Sequence, residues 1–339
     1  MTMPAGASSA NDVSRMDGVP QLDDAALWAT VVGQEPAVAL LRQAANQPVH
    51  AYLLVGPPGA GRTEAARAFA GTLFAGSGPA EDGSTGEDLE GQRHRALAAI
   101  GQHPDLVLVE PEGRSLLVAD AERITVEGWR SPIEADRKVI VVDRFDTAEP
   151  AAASSLLKTI EEPPASAVFV LLAEEVPDEH VTIASRCVRV DLPPVPDQVV
   201  ADALVAEGVA ADRADELATA SAGSVARARL LAVDPAFLGR RDAWHSVPER
   251  LDGSGAVVAV LVAELRGLID EAQGPLEDRH CIELEALTEH EEAFGARGSG
   301  RRELVDRHKR EIRRHRDDEF RFGLATLARA YLARAVPDG

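Results

Sequence analysis

The chain has 339 residues, room for two or three domains at roughly 100–200 residues each. Its 56 Asp and Glu outnumber 35 Lys and Arg, and the net charge of −21 excludes a surface given over wholly to nucleic acid or anionic lipid; any DNA contact must be a local patch. Two cysteines, Cys187 and Cys281, can build neither a disulfide framework nor a four-thiolate zinc site, and the longest apolar run, Ala256 to Ala263, is far short of the ~20 residues of a membrane helix. The first residues lack the apolar core of a signal peptide, so the expected location is the cytoplasm.

Residues 1–24 are rich in Ala, Ser, Gly, Asp and Met without an apolar period, and are expected to form a disordered tail. From Leu27 short β-rich runs alternate with Ala-rich helical stretches, the runs being Ala51 to Val55, Asp105 to Val109, Lys138 to Val142, Ala167 to Leu172 and Cys187 to Asp191. Strands this apolar along their length are buried on both faces, which predicts a mainly parallel sheet covered by helices on each side. Gly76 to Gly91, rich in Gly, Ser and acids, is expected to be a surface loop. After Pro193-Pro194 the pattern is helical, over Asp197 to Leu231 and Gly255 to Ala335, with a linker expected around Asp234, Pro235 and Gly239. In Val257 to Ile269 apolar residues cover nearly the whole helix circumference, as for a helix buried between neighbours in its own domain or in an assembly.

Gly56-Pro57-Pro58-Gly59-Ala60-Gly61-Arg62-Thr63 follows a strand and opens a helix, the setting in which a Gly-rich loop wraps phosphate oxygens with backbone N–H groups. The usual lysine of such a P-loop is Arg62, whose planar guanidinium does not replace a compact ammonium between the β- and γ-phosphates. The loop is therefore either a nucleotide site or a turn that no longer holds nucleotide. Asp143 ends an apolar strand where P-loop enzymes place the acid that holds magnesium, but the following position, usually a glutamate in oligomeric ATPases, is Arg144, which cannot accept a proton from water. Hydrolysis by this chain is not expected. Ala152 to Pro164 is a helix stopped by a double proline, with Leu156, Leu157 and Ile160 as its sheet-facing stripe. Arg186 stands just before the last strand, on a loop at the edge of the domain, where a lone arginine is usually a solvated charge. An arginine presented there to a neighbouring subunit can stabilise charge on a transferring phosphoryl group. Cys187 is expected to be a small buried hydrophobe.

Together these pieces resemble the bacterial clamp-loader subunits of the AAA+ class, and within them the delta-prime branch of the DNA polymerase III holoenzyme. The resemblance runs over about residues 30–232: Val32-Gly33-Gln34, His50-Ala51-Tyr52-Leu53-Leu54, the P-loop, His103-Pro104-Asp105, Arg137-Lys138-Val139, Leu156-Leu157-Lys158-Thr159-Ile160-Glu161-Glu162-Pro163-Pro164, Ser185-Arg186-Cys187 and Gly223-Ser224-Val225-Ala226-Arg227-Ala228. It implies an α/β fold: an AAA+ P-loop parallel-sheet domain over 25–194, a helical lid over 195–236 and an all-α collar over 237–339. It also implies a hetero-oligomeric ring with motor (gamma/tau) and delta subunits that loads the sliding clamp on primed DNA, without a membrane.

By the same resemblance Arg186 is an arginine finger acting in trans, Gly56, Gly59, Gly61, Arg62, Thr63 and Asp143 would contact nucleotide, and Arg227 matches a lid arginine that senses it. ATP in this chain is expected to be weakly bound or absent. The zinc module of relatives is not expected either, since Gly91 to Gln102 holds no cysteine. Glu174 and Glu175 stand where active relatives carry a small polar sensor, and carboxylates there repel a triphosphate. The alternatives are a self-sufficient P-loop ATPase and a divergent paralogue serving as an interaction module outside replication.

One run is basic. Arg301 to Arg316 holds eight Arg or Lys against three acids, a local charge of +5, and reads as a solvated helix face or as a contact for DNA or an acidic partner. His308, His315 and the other histidines lack metal-ligand company and are expected on the surface.

Overall fold

The structure, a computed structural model, describes residues 22–76, 89–111, 113, 115–221, 223–294 and 301–335. Most of the expected tail and the interior of the expected loop, 77–88, lie outside the described residues. The chain divides into two compact units between Val195 and Pro196. The expected lid and collar both fall within the second.

The first unit runs α1 (Asp24–Ala29), α2 (Glu35–Asn46), β1 (Ala51–Val55), α3 (Arg62–Ala75), α4 (Leu89–Ala99), β2 (Leu106–Val109), α5 (Val118–Trp129), β3 (Lys138–Val142), α6 (Pro150–Glu161), β4 (Ala167–Ala173), α7 (Val181–Ala184) and β5 (Val188–Asp191). All five strands are parallel, in the order β2-β3-β4-β1-β5, with Ala51 opposite Phe169 and Tyr52 opposite Val188. Period-two alternation sends neighbouring side chains into two separate cores. Tyr52, Leu54, Val139, Val141, Val168 and Val170 pack with Leu27, Leu41 and Phe69 of α1 to α3. Leu53, Val55, Ile140, Val142, Phe169 and Leu171 pack with Ile124 of α5 and Leu156 and Ile160 of α6. This is a parallel α/β sheet covered by helices on both faces, as the sequence predicts.

Asp105 of the His-Pro-Asp string is fully buried and accepts three backbone N–H bonds, from Ile133 (2.6 Å), Glu134 and Ala135 (both 2.8 Å). Burial pushes its pKa up, but the three donors outweigh it and hold the carboxyl below its ordinary value. The string thus fixes the turn that feeds β3.

Two local expectations need correction. The insertion ends in helix rather than loop: α4 starts at Leu89 and lies so close to α3 that a Cβ on Gly71 would be 3.2 Å from the Ala98 Cβ. Gly239, expected in a linker, lies inside a helix of the second unit, and the connection before that helix is only 234–236.

The second unit is helical throughout its described residues: α8 (Asp197–Ala206), α9 (Ala211–Ser221), α10 (Val225–Val233), α11 (Phe237–Arg250), α12 (Gly255–Glu271), α13 (Gly274–Phe294) and α14 (Arg301–Ala335). Ser224 caps α10, accepting the Arg227 N–H at 3.2 Å, and Ser254 caps α12, accepting the Val257 N–H at 3.3 Å. On α12, Leu261, Leu265 and Ile269 face a core with Trp244 and Val247, while Val258, Val260 and Val262 stay exposed. Its all-round apolar surface is therefore only half used within the unit. No helix among the described residues is long and apolar enough to cross a membrane.

Candidate functional site

In a parallel sheet every strand points the same way, so the loops that follow the strands share one edge, where ligands of such sheets bind. Strand order brings three sequence-predicted features together there. The P-loop follows β1, Glu174 and Glu175 follow β4 beside it, and Asp143 follows β3.

The P-loop is shaped for an anion. Gly59 and Gly61 adopt left-handed φ of 82° and 87°, which turns the chain into the N-terminus of the fourteen-residue α3, where N–H groups and the helix dipole favour negative charge. Gly56 is required by close approach, since a Cβ there would lie 2.1 Å from the Leu192 carbonyl oxygen. Gln34, buried at 1% exposure, holds the loop from behind by donating Nε2 to the carbonyls of Ala60 (3.0 Å) and Pro193 (2.7 Å). Arg62 and Thr63 open α3 half-buried, and Arg62 Nη1 is buried without a partner among the described residues, a cationic donor suited to an anion. The cradle therefore fits phosphate.

The groups beside it have partners of their own. Asp143 Oδ1 accepts the backbone N–H of Arg144 at 3.0 Å, and Arg144, in the left-handed region at φ 54°, donates Nη1 to the Gly113 carbonyl at 3.2 Å. Arg144, the residue that follows Asp143, cannot itself take a proton from water. Glu174 and Glu175 are exposed on the same edge, adding negative charge to it.

Arg186 lies elsewhere. It precedes β5, whose first residue Val188 pairs with Tyr52 near the start of β1, so Arg186 stands off the amino edge of the sheet while its own P-loop stands off the carboxyl edge. Its guanidinium is exposed, with Nη1 donating to the Thr182 carbonyl at 2.7 Å and Nη2 2.6 Å from Glu161 Oε1. Cys187 beside it is half-buried, donates to the Ile183 carbonyl at 3.4 Å, and has its pKa pushed up to about 12 by burial, so it is an inert thiol.

In the second unit, Arg227 is engaged. Its Nη2 is 3.5 Å from Glu319 Oε1 and its guanidinium stacks 5.3 Å over Phe322. Glu319 also takes Arg240 Nε at 3.1 Å, and Arg240 reaches Asp234 at 2.5 Å, a buried network joining α10, α11 and α14.

The histidine expectation fails for five residues, since His94, His103, His180, His280 and His308 are buried, while His245 is exposed as expected. His94, His103 and Glu134 bring ligand-type atoms within 4.8 Å of one another. Their hydrogen bonds argue against a metal there. The Asp105 N–H can only donate, and it donates to His103 Nδ1 at 3.0 Å, so the neutral ring carries its proton on Nε2 and gives it to His94 Nδ1 at 2.7 Å. A ligating His103 would need that Nε2 proton removed, whereas metal-bound histidines donate their other nitrogen to an acceptor. Glu134 is meanwhile held by Arg93 through two contacts, at 2.8 and 3.4 Å.

On α13 and α14 the imidazoles of His280 and His308 stack at 3.8 Å. His280 Nε2 is 2.8 Å from Glu311, and His308 Nε2 is 2.9 Å from Glu283. Arg279 binds Glu311 at 2.6 Å, and Arg307 binds Glu283. The same five-residue pattern, Arg-His-x-x-Glu, occurs at 279–283 and 307–311, and that repetition is the sequence signal for the clasp. Within the basic run, Arg307, Lys309 (to Asp306, 3.1 Å) and Arg316 (to Asp270, 3.5 Å) are all paired inside the unit. Three of its eight basic residues are thereby engaged within the unit.

Known proteins share sequence with this chain. Residues 33–196 match the family model described as DNA polymerase III, delta subunit. Subunit delta' of DNA polymerase III from Bacillus subtilis is 32% identical over 169 residues, 50% of this chain and 50% of its own. Subunit gamma/tau from Mycobacterium bovis is 27% identical over 327 residues, 90% of this chain and 56% of its own. A gamma subunit-related protein of Thermotoga maritima, known as a crystal structure, is 16% identical and aligns over 87% of this chain and 99% of that one with a TM-score of 0.43. The chain spans about half the length of the curated relatives it matches.

Proposed function

We propose that this chain, a DNA polymerase III clamp-loader family member over residues 33–196, serves as a delta-prime-like subunit that lends Arg186 to the ATP site of a neighbouring motor subunit. The observation that carries the reading is the placement of Arg186 on the amino edge of the sheet, opposite its own P-loop: an exposed guanidinium there can reach phosphate only on another chain. The substitutions at Arg62 and Arg144 support the same division of labour. The loop of Gly56, Gly59, Gly61, Arg62 and Thr63 would cradle phosphate weakly, and Asp143, without a neighbouring base, activates no water. Arg227, committed to Glu319, acts as a strut rather than as a nucleotide sensor.

In this reading the partners are gamma/tau motor subunits and delta, and the assembly acts on the sliding clamp and primed DNA. The test is reconstitution of the ring with Arg186→Ala. Assembly by gel filtration should be intact and the DNA- and clamp-stimulated ATPase rate should fall by about 10³-fold at the affected junction. An unchanged rate would remove the trans-finger reading. The competing reading, a self-sufficient ATPase, requires the purified chain alone to turn over ATP and to lose that activity on Thr63→Ala.

A further inference from the structure

Two strings that stand apart in the sequence, 156–164 and 185–187, meet through one ion pair, Glu161 Oε1 to Arg186 Nη2 at 2.6 Å. The guanidinium is gripped from two elements. Its Nη1 donates to the Thr182 carbonyl of α7 at 2.7 Å and to Ser185 Oγ at 3.3 Å, while Nη2 faces the carboxylate at the last residue of α6. Its Nε–H has no partner among the described residues, so the head is oriented yet still able to donate to an incoming oxyanion.

The acid itself is out of place by helix electrostatics. Glu161 sits at the C-terminal end of α6, where the dipole disfavours negative charge, and Pro163-Pro164 fixes the chain immediately beyond it. Nothing in the helix calls for a carboxylate there; the guanidinium does. The pair is partly exposed on both sides, with 37% and 44% of the side chains accessible, so it contributes little to the fold. A long, rotamer-rich arginine that must arrive beside a transferring phosphoryl group gains directly from being held in one orientation beforehand.

We infer that Glu161 is the positioning residue for Arg186, holding its guanidinium ready for the neighbouring subunit's triphosphate. The inference rests on the trans-finger reading above. The experiment uses the reconstituted ring with saturating clamp and primed DNA, and measures kcat and KM for ATP with Glu161→Ala, Glu161→Gln, Arg186→Ala and the double variant.

Glu161→Ala should lower kcat roughly tenfold with KM little changed, since only the transition state loses the oriented charge. Glu161→Gln, which keeps an acceptor oxygen, should recover most of the rate. The double variant should be no slower than Arg186→Ala. A Glu161→Ala ring as fast as or faster than wild type, or a double variant slower than Arg186→Ala, overturns the inference while leaving the finger reading in place. An Arg186→Ala ring that hydrolyses ATP at the wild-type rate overturns both.

Discussion

A Cβ added to Gly323 of α14 would lie 2.1 Å from Cε2 of the buried Trp244 indole on α11. The two helices can meet only because this residue has no side chain. Gly323→Ala must displace a ring packed against Leu261, Leu265 and Ile269, an overpacking that costs about 1–3 kcal/mol, here toward the upper end. Gly267, inside α12, is the control. A Cβ there meets nothing within 4 Å, and replacing an interior helical glycine by alanine stabilises by about 0.5–1 kcal/mol. Urea midpoints should move in opposite directions for the two variants; shifts of the same sign would show that the contact is not tight.

Acid should weaken the first unit through His103. Burial, with the like charge that His94 would carry, lowers its pKa from 6.5 to about 4. In the unfolded chain the ring takes a proton below about pH 6.5, whereas the folded ring refuses it until about pH 4, so the unfolded state binds more protons across that window. Stability is full above pH 6.5, falls as the pH drops toward 4, and by then has lost about 3 kcal/mol from this group. His103→Gln removes the titration, so the stability–pH curve of the variant should be flatter by that amount between pH 7 and 4, whatever its stability at pH 8. Parallel curves would mean that His103 titrates normally in the folded protein.

The sheet was readable because its signal is local. Ala51–Val55 and Lys138–Val142 are bounded to the residue by their apolar runs, and both faces are buried. Arg186 and the P-loop were readable as strings, and strand order then showed what the strings could not, that they stand on opposite edges. The histidines were misjudged because a side chain's burial depends on partners far along the chain: His280 finds Glu311 31 residues away, and Arg186 finds Glu161 25 residues back. No helical or strand period encodes such pairs. The basic run shows the same limit, since Glu283, which takes Arg307, comes from another helix and escapes a local charge count.

The clasp between α13 and α14 engages Arg307 of that run within the unit. Glu283 receives His308 and Arg307, and Glu311 receives His280 and Arg279, with the two imidazoles stacked between them. Burial raises the pKa of each carboxyl, but the imidazole and guanidinium donors outweigh it, so both lie below the ordinary glutamate value. Their contribution is therefore present above about pH 4.3 and disappears as the pH falls through the lowered folded values. Glu283→Ala leaves the His308 Nε2, in a side chain only 6% exposed, without its acceptor, at about 1–3 kcal/mol. Because Arg279 and Arg307 each approach both carboxylates, the Glu283→Ala and Glu311→Ala effects should couple by about 0.5–3 kcal/mol in a double-mutant cycle, read from hydrogen exchange of α13 and α14 amides. Strict additivity would reduce the clasp to two unrelated pairs. Arg307→Ala should likewise loosen these helices while leaving the salt dependence of any DNA binding by the proposed ring unchanged; a salt slope reduced by about one would instead assign Arg307 a phosphate contact.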